Sequence, residues 1–514
     1  MKNKIVNFFQ KYSSKWAFWV ILAFCFKLAF FLFGILSRTH MVVGIPGFWG
    51  TTDSDTIGYL SPIDNFVQNG SYAPDYRMPG YGVVYLPFAF IFSKTIATNM
   101  LIIAQLVLSS ISVYILSLTA KTAFKRDAYF YWTFFLYSIS CFTCNYDIWL
   151  MTESVTTSFL IFSVYFLVRY FETGKSMQVI LSGLFLTWGI FCHPVFLPFL
   201  LFFLLFLLIK SQRKLVSCVL FLLPFIVCDS AWIYHNYQRY DAIYPLFNKA
   251  YNEIYVQDLN PKLSLSKGEN GRDPHISLIE PFVSYGQAWG APYIFEPNKI
   301  ISKRRNEKTG KDELSVDIDE IPKYSYTSKF NRDSLVKLVQ LKDSIQANSS
   351  NHDMYIKYCI LLNDKVNNYI ASLKEEKPFV YHVKAPLILL RRFLVNSGSP
   401  VLFDKPASEL NILSKILKIF FSILYYCVLA FAAIGIIKMI RRILNFKSLE
   451  FLIMGIALFL VLVHPLLIRF CCTRYLVPAY PFILVCSVTG ILTVYSLCIK
   501  VLEGFLKLSS KDHF

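Results

Sequence analysis

Long apolar stretches separated by short polar loops make up most of this chain. The first stretch, Trp16 to Ser37, is long enough to cross a bilayer, which takes roughly 20 apolar residues in a helix. Similar or slightly shorter stretches follow at 97–118, 128–144, 152–169, 179–192, 194–209, 215–231, 416–437, 451–468 and 476–497. The pattern predicts an all-α polytopic membrane protein with about ten transmembrane helices.

Two stretches do not fit this pattern. Gly80 to Ser93 is apolar but too short to cross, which indicates an interfacial or re-entrant helix. The segment 236–410 is mainly polar and contains two amphipathic helical patterns, at 335–341 and 354–373, so it predicts an extracytoplasmic α-rich domain. Near its end, Arg391 and Arg392 stand in an apolar setting, which is typical of a helix lying on the membrane surface.

The predicted domains follow from these stretches. Residues 1–235 form an N-terminal transmembrane module with a first outer loop at 38–96, residues 236–410 form the extracytoplasmic domain, and residues 411–514 form the C-terminal transmembrane helices. Lysine and arginine collect in alternate short loops, and this asymmetry predicts a cytoplasmic N-terminus and a cytoplasmic C-terminus. The net charge of +18 is therefore attributed to membrane orientation, and no nucleic-acid partner is expected.

Counting spans from a cytoplasmic N-terminus places a group of ionisable side chains together on the outer face. They are Asp53, Asp55, Arg77, Asp147, Glu153, His193, Asp229, His235, Arg469 and Arg474. Charged residues at the ends of spans usually sit among lipid headgroups, so each one alone has that simpler explanation. Glu153 begins a predicted span, where an acid can stabilise the helix N-terminus or can face Asp55, and both alternatives stay open. Lys27 is the one clearly mid-span charge and has no obvious acidic partner within a span.

Several short motifs in these outer regions resemble one family of membrane enzymes. The first outer loop contains Asp55-Thr-Ile-Gly-Tyr59, then Gly70-Ser-Tyr72, then Arg77-Met-Pro-Gly-Tyr81. Thr152-Glu-Ser154, Trp232-Ile-Tyr-His-Asn236 and Arg474-Tyr-Leu-Val-Pro478 follow in the chain. In this order they resemble the GT-C membrane glycosyltransferases, most closely the protein O-mannosyltransferase and aminoarabinose transferase group, glycosyltransferase family 39. Gly82, His193 and His235 depart from the family's Pro, Arg and Arg, and the two histidines are expected to weaken or alter phosphate binding.

The resemblance implies a GT-C-type helix bundle and transfer of a sugar, with inversion, from a polyprenyl-phosphate donor to an acceptor. The acceptor class (a protein hydroxyl, a lipid or a glycan) stays open. The expected place is the outer side of a membrane, most simply the bacterial inner membrane, with membrane lipid around the chain. Asp55 is the expected catalytic base, with Asp53 as its competitor.

Other site residues follow from the same comparison. Arg77 and Arg474 suit the donor phosphate, because guanidinium groups match phosphate oxygens in bidentate fashion. Tyr59, Tyr81, His193, His235 and Tyr475 complete the expected substrate and phosphate contacts. Glu153 is expected to position the acceptor, to orient the partners of Asp55, or to join Asp55 in holding a divalent metal ion.

Three other classes compete with a glycosyltransferase. The simplest is a non-catalytic scaffold, against which the clustering of acids and arginines on one face counts. A lipid or oligosaccharide flippase would place ionisable residues near mid-membrane or use helices broken by Gly and Pro in matched halves. An O-antigen ligase or polymerase also uses polyprenyl donors, but relies on outer loops rich in Arg and His. The chain has no Gly-rich phosphate loop, so no nucleotide cofactor is expected.

Overall fold

The computed structural model describes most of the helical part of the chain. The described residues are 15–37, 47–52, 54–72, 77–240, 243, 245–246, 279–291, 301–305, 312–316, 321–348, 351–398, 403, 408–441, 448–469 and 471–509. Of the candidate residues named above, Asp53 alone lies outside these ranges.

Helices account for nearly all of the regular structure in these ranges. The first ten are α1 Trp16–Ser37, α2 Ser54–Asn69, α3 Gly80–Ile91, α4 Lys94–Phe124, α5 Asp127–Ser138, α6 Cys141–Tyr146, α7 Thr152–Thr173, α8 Ser176–Cys192, α9 Pro198–Lys210 and α10 Lys214–Tyr240. The remainder are α11 Ile279–Trp289, α12 Arg332–Ala347, α13 His352–Glu376, α14 Ala385–Val395, α15 Ile412–Ile440, α16 Leu449–Val463 and α17 Tyr480–Ser509. Strands β1 Ile301–Arg305 and β2 Asp312–Val316 pair antiparallel.

Seven of the described helices are long and apolar enough to cross a membrane. They lie at Trp16–Ile35, Lys94–Phe124, Thr152–Thr173, Lys214–Gln238, Ile412–Ile440, Leu449–Ile468 and Tyr480–Glu503. Three shorter apolar helices accompany them, at Gly80–Ile91, Ser176–Cys192 and Pro194–Lys210. The chain is therefore an all-α polytopic membrane protein, as predicted, while the count of ten spans stays a prediction.

The third predicted span is not one helix. Its residues form α5 and α6, which are separated at Ile139 and Ser140. Ser140 begins the second helix, and its hydroxyl oxygen accepts a hydrogen bond from the Thr143 N–H at 3.3 Å. A serine at this position satisfies one of the free N–H groups of a helix start, which favours a new helix over a continued one.

The chain divides into two compact units. The first contains Met1–Asn248, Ser397–Leu460 and Arg474–Phe514, and the second contains Lys249–Asn396 and Val461–Thr473. In the first unit α15 packs closely along α17. The approach is so close that a Cβ atom at Gly435 or Gly490 would overlap the backbone of the facing helix. Glycine at these two positions therefore allows the close approach of the helices.

The second unit has its own apolar core. Its centre is a stacked pair of rings, Tyr285 and Tyr369, whose centroids are 4.1 Å apart. Buried residues of α11, α12 and α13 surround this pair, among them Phe282, Leu335, Leu338, Leu362 and Leu373. The two amphipathic patterns of the sequence thus correspond to α12 and α13.

Candidate active site

Asp55 lies at the centre of a group of opposite charges in the first unit. It stands in the first turn of α2, and its Oδ1 atom accepts a hydrogen bond from Arg77 Nη2 at 2.8 Å. Its Oδ2 atom accepts one from Arg474 Nη2 at 2.5 Å. Arg77 comes from the segment before α3 and Arg474 from a 3₁₀ turn, Thr473–Leu476, before α17. Packing thus brings together residues that lie 419 positions apart.

Glu153 approaches the same cluster from α7. Its Oε1 atom is 3.5 Å from Arg474 Nε, and its side chain is 3% exposed. Arg474 therefore contacts both carboxylates, with one nitrogen directed to each. Glu153 also stands in the first turn of its helix, where an acid stabilises the helix N-terminus, and it shares Arg474 with Asp55.

The two arginines control the protonation state of Asp55. Partial burial would raise the pKa of this carboxyl group, because removal from water disfavours the charged form. The hydrogen bonds and positive charges of Arg474 and Arg77 act in the opposite direction and prevail, so the pKa lies below its ordinary value. Asp55 is thus an anion at neutral pH, and a weaker base than a free carboxylate while both arginines hold it.

Three tyrosines and a histidine surround the cluster. The Arg77 guanidinium lies over the ring of Tyr59, 5.1 Å from its centroid, and Tyr59 meets Tyr81 edge to face at 5.6 Å. Burial raises the pKa of Tyr59, which keeps the phenol neutral. Tyr475 lies beside Arg474, and its hydroxyl oxygen accepts a hydrogen bond from Arg474 Nη2 at 3.3 Å. His193 meets the Tyr475 ring edge to face at 5.4 Å.

His235 belongs to a neighbouring apolar cavity. Its ring stacks on Trp232 at 5.2 Å and lies 5.7 Å from the ring of Tyr72. The cavity has a volume of about 320 Å³, within the roughly 300–1,000 Å³ of ordinary ligand pockets. Its walls are formed by α2, α3, α8 and α10, with Ile63, Pro79, Val83, Phe191 and Trp232 among the lining residues. Pro79 is two residues from Arg77, so the cavity begins close to the charged cluster.

A buried ion pair supports the segment that carries Glu153. Lys27 Nζ lies 2.6 Å from Asp147 Oδ2, and both side chains are almost completely buried. Asp147 also accepts hydrogen bonds from Ser109 Oγ at 3.0 Å and from Ser154 Oγ at 2.6 Å. The sequence showed no obvious acidic partner for Lys27 within a span, and the partner that the structure gives it, Asp147, lies in the segment between α6 and α7. Asp147 itself is buried and does not take the headgroup position considered for it. The partner lies between two helices, where span boundaries drawn from hydropathy do not reveal it.

Further polar contacts join this segment to the elements that carry Asp55 and Tyr81. Gln105 Nε2 donates to the carbonyl oxygens of Asp147 and Trp149, each at 2.9 Å, while its Oε1 accepts from the Tyr81 hydroxyl at 2.6 Å. Thr56 Oγ1, beside Asp55, donates to the Leu150 carbonyl at 3.0 Å. The segments that carry Asp55 and Glu153 are thus joined by one connected network. Gln105 was missed in the sequence, although a buried amide within an apolar span is a signal for such a role.

The turn after Arg77 is fixed against α8. Trp188 Nε1 donates to the Gly80 carbonyl oxygen at 2.9 Å. A Cβ atom at Gly80 would overlap the backbone of Phe191 and Cys192. Only glycine allows this approach, which explains the Pro-Gly pair that follows Arg77 and Met78.

The alternative of a divalent metal ion between Asp55 and Glu153 fits the described arrangement poorly. Arg474 occupies the space between the two carboxylates. Across the described part of the chain, no three His, Cys, Asp or Glu side chains gather closely enough to hold a metal ion. The cation that joins the two acids in this structure is a guanidinium.

Residues 86–234 match the family model of the dolichyl-phosphate-mannose-protein mannosyltransferases. The match confirms the resemblance to the GT-C membrane glycosyltransferases. It runs from α3 to α10 and includes Glu153 and His193, whereas Asp55, Arg77 and Arg474 lie outside it. No curated protein matches the sequence. A membrane glycosyltransferase of the GT-C type is therefore supported.

Proposed function

We propose that this chain transfers a sugar from a polyprenyl-phosphate donor to an acceptor nucleophile, with inversion, at the outer surface of the membrane. One observation carries the proposal: Asp55 is held between Arg77 and Arg474, and Glu153 lies against the same Arg474. This arrangement supplies a base, two cations suited to a phosphate, and a second acid. The family match, whose name includes dolichyl-phosphate-mannose, makes a polyprenyl-phosphate mannose the first donor to test.

The reaction needs one proton acceptor and no general acid. The acceptor's X–H group gives its proton to the Asp55 carboxylate as X attacks the anomeric carbon. The bond between that carbon and the phosphate oxygen breaks, and its electron pair leaves with the polyprenyl phosphate. Arg77 and Arg474 stabilise the negative charge that develops on the phosphate. A single displacement inverts the anomeric carbon.

Donor binding also changes the state of Asp55. In the resting arrangement both carboxylate oxygens accept hydrogen bonds from arginine, which lowers the pKa of Asp55 and weakens it as a base. A phosphate group competes for the same guanidinium nitrogens. When the arginines turn to the phosphate, Asp55 regains an oxygen for the acceptor's proton and becomes more basic. The base is thus activated only when a donor is present.

The apolar cavity beside the cluster suits the lipid part of the donor. Its lining is almost entirely apolar or aromatic, and it starts at Pro79, next to the segment that carries Arg77. Under the proposal, the first isoprene units lie in this cavity while the phosphate contacts Arg77 and Arg474. His235, which lines the cavity on its Trp232 side, then contacts the lipid rather than the phosphate.

The proposal is tested with purified protein and a polyprenyl phosphate that carries radiolabelled mannose, in the presence of membrane extract as acceptor. Asp55→Asn should lower kcat by about 10²- to 10⁴-fold, the usual contribution of a general base, with little change in donor binding. Asp64→Asn is the matched control, because Asp64 lies on the same helix and pairs with Lys94 away from the cluster.

Two results would contradict the proposal. If Asp55→Asn turns over as fast as Asp64→Asn, then Asp55 is not the base. If the labelled donor crosses the bilayer of a proteoliposome but is never consumed, the protein acts as a flippase. Other polyprenyl-phosphate sugars are assayed in parallel, so that failure with mannose alone is separated from failure of the whole class.

A further inference from the structure

A second surface, distinct from the charged cluster, lies on the second unit at the helical segment 377–395. The segment consists of the π-helical turn Val380–Lys384 and then α14. Phe379, Val383, Leu387 and Val395 are exposed there, Phe379 by 68% and Leu387 by 57%. Arg391 is also exposed, and together these residues recur every four positions. The row Phe379, Val383, Leu387, Arg391 and Val395 is called the stripe.

The π-helical turn keeps this stripe on one side of the helix. In a regular α-helix four residues turn about 40° beyond a full circle, so a spacing of four drifts around the axis. A π turn has more residues per turn, so the same spacing falls short of a full circle and offsets that drift. Phe379 and Leu387 therefore remain on a common face although the turn Val380–Lys384 lies between them.

The segment is strongly basic. From Lys377 to Val395 it contains four Lys and Arg residues, with no Asp or Glu. Arg391 and Arg392 are exposed and form no salt bridge with any residue in the described ranges. The nearest acid before the segment, Glu376, accepts hydrogen bonds from Ser328 and Ser372. The stripe thus joins apolar side chains to unneutralised positive charge.

Contacts within the second unit hold this segment at the end of a membrane-spanning helix. The candidate span Leu449–Ile468 ends in a π-helical turn, His464–Ile468, that packs against α14. The His464 ring lies 5.7 Å from that of Phe393. Just after the span, Arg469 Nη2 donates to the Tyr381 carbonyl oxygen at 2.7 Å, and its guanidinium lies 3.6 Å from the centroid of the Tyr381 ring. The stripe is therefore attached to the end of a helix that is long and apolar enough to cross a membrane.

We propose that the stripe lies on the membrane and binds the headgroups of anionic phospholipids. The apolar side chains enter the boundary between headgroups and acyl chains, and Arg391 and Arg392 contact the lipid phosphates. Charge selects this occupant, because a basic apolar helix at the end of a span complements an anionic lipid surface. The inference does not depend on the sugar transfer proposed above.

Hydrogen–deuterium exchange on the full chain in nanodiscs tests this proposal. Peptides covering 379–395 should exchange more slowly in discs that contain one-third phosphatidylglycerol than in discs of phosphatidylcholine alone, as roughly one-third of the headgroups then carry a charge. Arg391→Gln/Arg392→Gln should weaken docking about 25-fold and remove most of this difference. Raising the salt concentration should also reduce the difference in exchange between the two kinds of disc, because salt screens the attraction between arginine and lipid phosphate.

Lys357→Gln/Lys365→Gln is the matched control, since both lysines are exposed on α13 outside the stripe. This control should retain the full lipid dependence, and exchange in α12 and α13 reports whether each variant is folded. Equal exchange in the two lipids would overturn the proposal. Protection that appears only in discs holding two chains would also overturn it and would identify a second copy of the chain as the occupant.

Discussion

Two groups of opposite charges in the first unit differ in how firmly their partners are fixed. Lys27 and Asp147 are buried among helices, and Asp147 accepts additional hydrogen bonds from Ser109 and Ser154. The Asp55 side chain is 28% exposed. Its carboxylate accepts hydrogen bonds from two arginines, Arg77 and Arg474, which lie on separate elements. The first group cannot exchange its partner without leaving a charge in an apolar interior. The second is partly exposed, and under the proposed function its arginines exchange Asp55 for the donor phosphate.

The difference in burial suggests different roles for the two groups: Lys27–Asp147 stabilises the fold, and the Asp55 cluster is the proposed site of reaction. A buried pair costs about 3–5 kcal/mol when one partner is removed, because the other charge remains uncompensated. Asp55 is partly exposed, so removal of one arginine leaves it in contact with water and not as an uncompensated charge in an apolar interior. The sequence placed Asp55 and Asp147 on the same outer face and singled out Asp55 by its motif; the structure adds that Asp147 is buried and paired with Lys27, whereas the Asp55 side chain is 28% exposed.

The largest expected effect is on stability. Lys27→Met should lower the free energy of unfolding by about 3–5 kcal/mol, since Asp147 would be left charged and buried. Thermal unfolding of the purified protein in detergent measures the change. Lys27→Met/Asp147→Asn should recover much of the loss, because the uncompensated charge is gone and an amide oxygen can still accept from Ser154.

Lys94→Met is the control for this experiment. Lys94 pairs with Asp64 at 2.9 Å but is 59% exposed, and surface pairs contribute about 0–1 kcal/mol. Equal destabilisation by Lys27→Met and Lys94→Met would remove the distinction drawn between fixed and exchangeable charges.

A second, smaller effect concerns Arg474 and the pH dependence of kcat/KM. Arg474→Gln loses charge-assisted hydrogen bonds worth about 1.5–3 kcal/mol, which predicts a decrease in kcat/KM of roughly 10- to 150-fold. The variant also removes a charge that lowers the pKa of Asp55, while the effect of burial, which raises it, remains. The acid limb of kcat/KM should therefore move to higher pH than in the wild type.

The lowered pKa of Asp55 also determines how the stability of the fold depends on pH. The folded-state pKa of Asp55 lies below its ordinary 3.8, so this group stabilises the fold above that pH, and the contribution disappears as the pH falls through the folded-state pKa. Measurement of kcat/KM from pH 3.5 to 8 tests the prediction for catalysis. An acid limb at the same pH in Arg474→Gln and wild type would show that Asp55 is not the titrating group.

The smallest effect is expected at Tyr59. Tyr59→Leu removes the ring beneath Arg77 and should weaken donor binding by roughly 2- to 5-fold, since an exposed or partly exposed cation–π contact contributes about 0.5–1 kcal/mol. Tyr59→Phe keeps the ring and should bind donor as the wild type does. The measurement is the KM for labelled donor. An equal loss in Tyr59→Phe and Tyr59→Leu would mean that the hydroxyl, and not the ring, contacts the substrate.

Local pattern was enough for much of the fold. Apolar runs predicted the seven long spans, and the periodicity of 335–341 and 354–373 predicted α12 and α13, because both signals depend on neighbouring positions of one helix. Pattern failed at 128–144, where apolar content continues through Ile139 but the Ser140 cap starts a new helix. Apolar composition alone does not predict this break between α5 and α6.

The sequence by itself determined the membrane class, the approximate spans and a short set of candidate side chains around Asp55. Hydropathy and motif spacing are properties of adjacent residues, so they can be read without a fold. Only the tertiary structure decided that Arg474 meets Asp55, that His235 faces an apolar cavity, and that Lys27 is neutralised by Asp147. Each of these contacts joins separate elements, and the packing of helices, not the order of residues, brings such partners together.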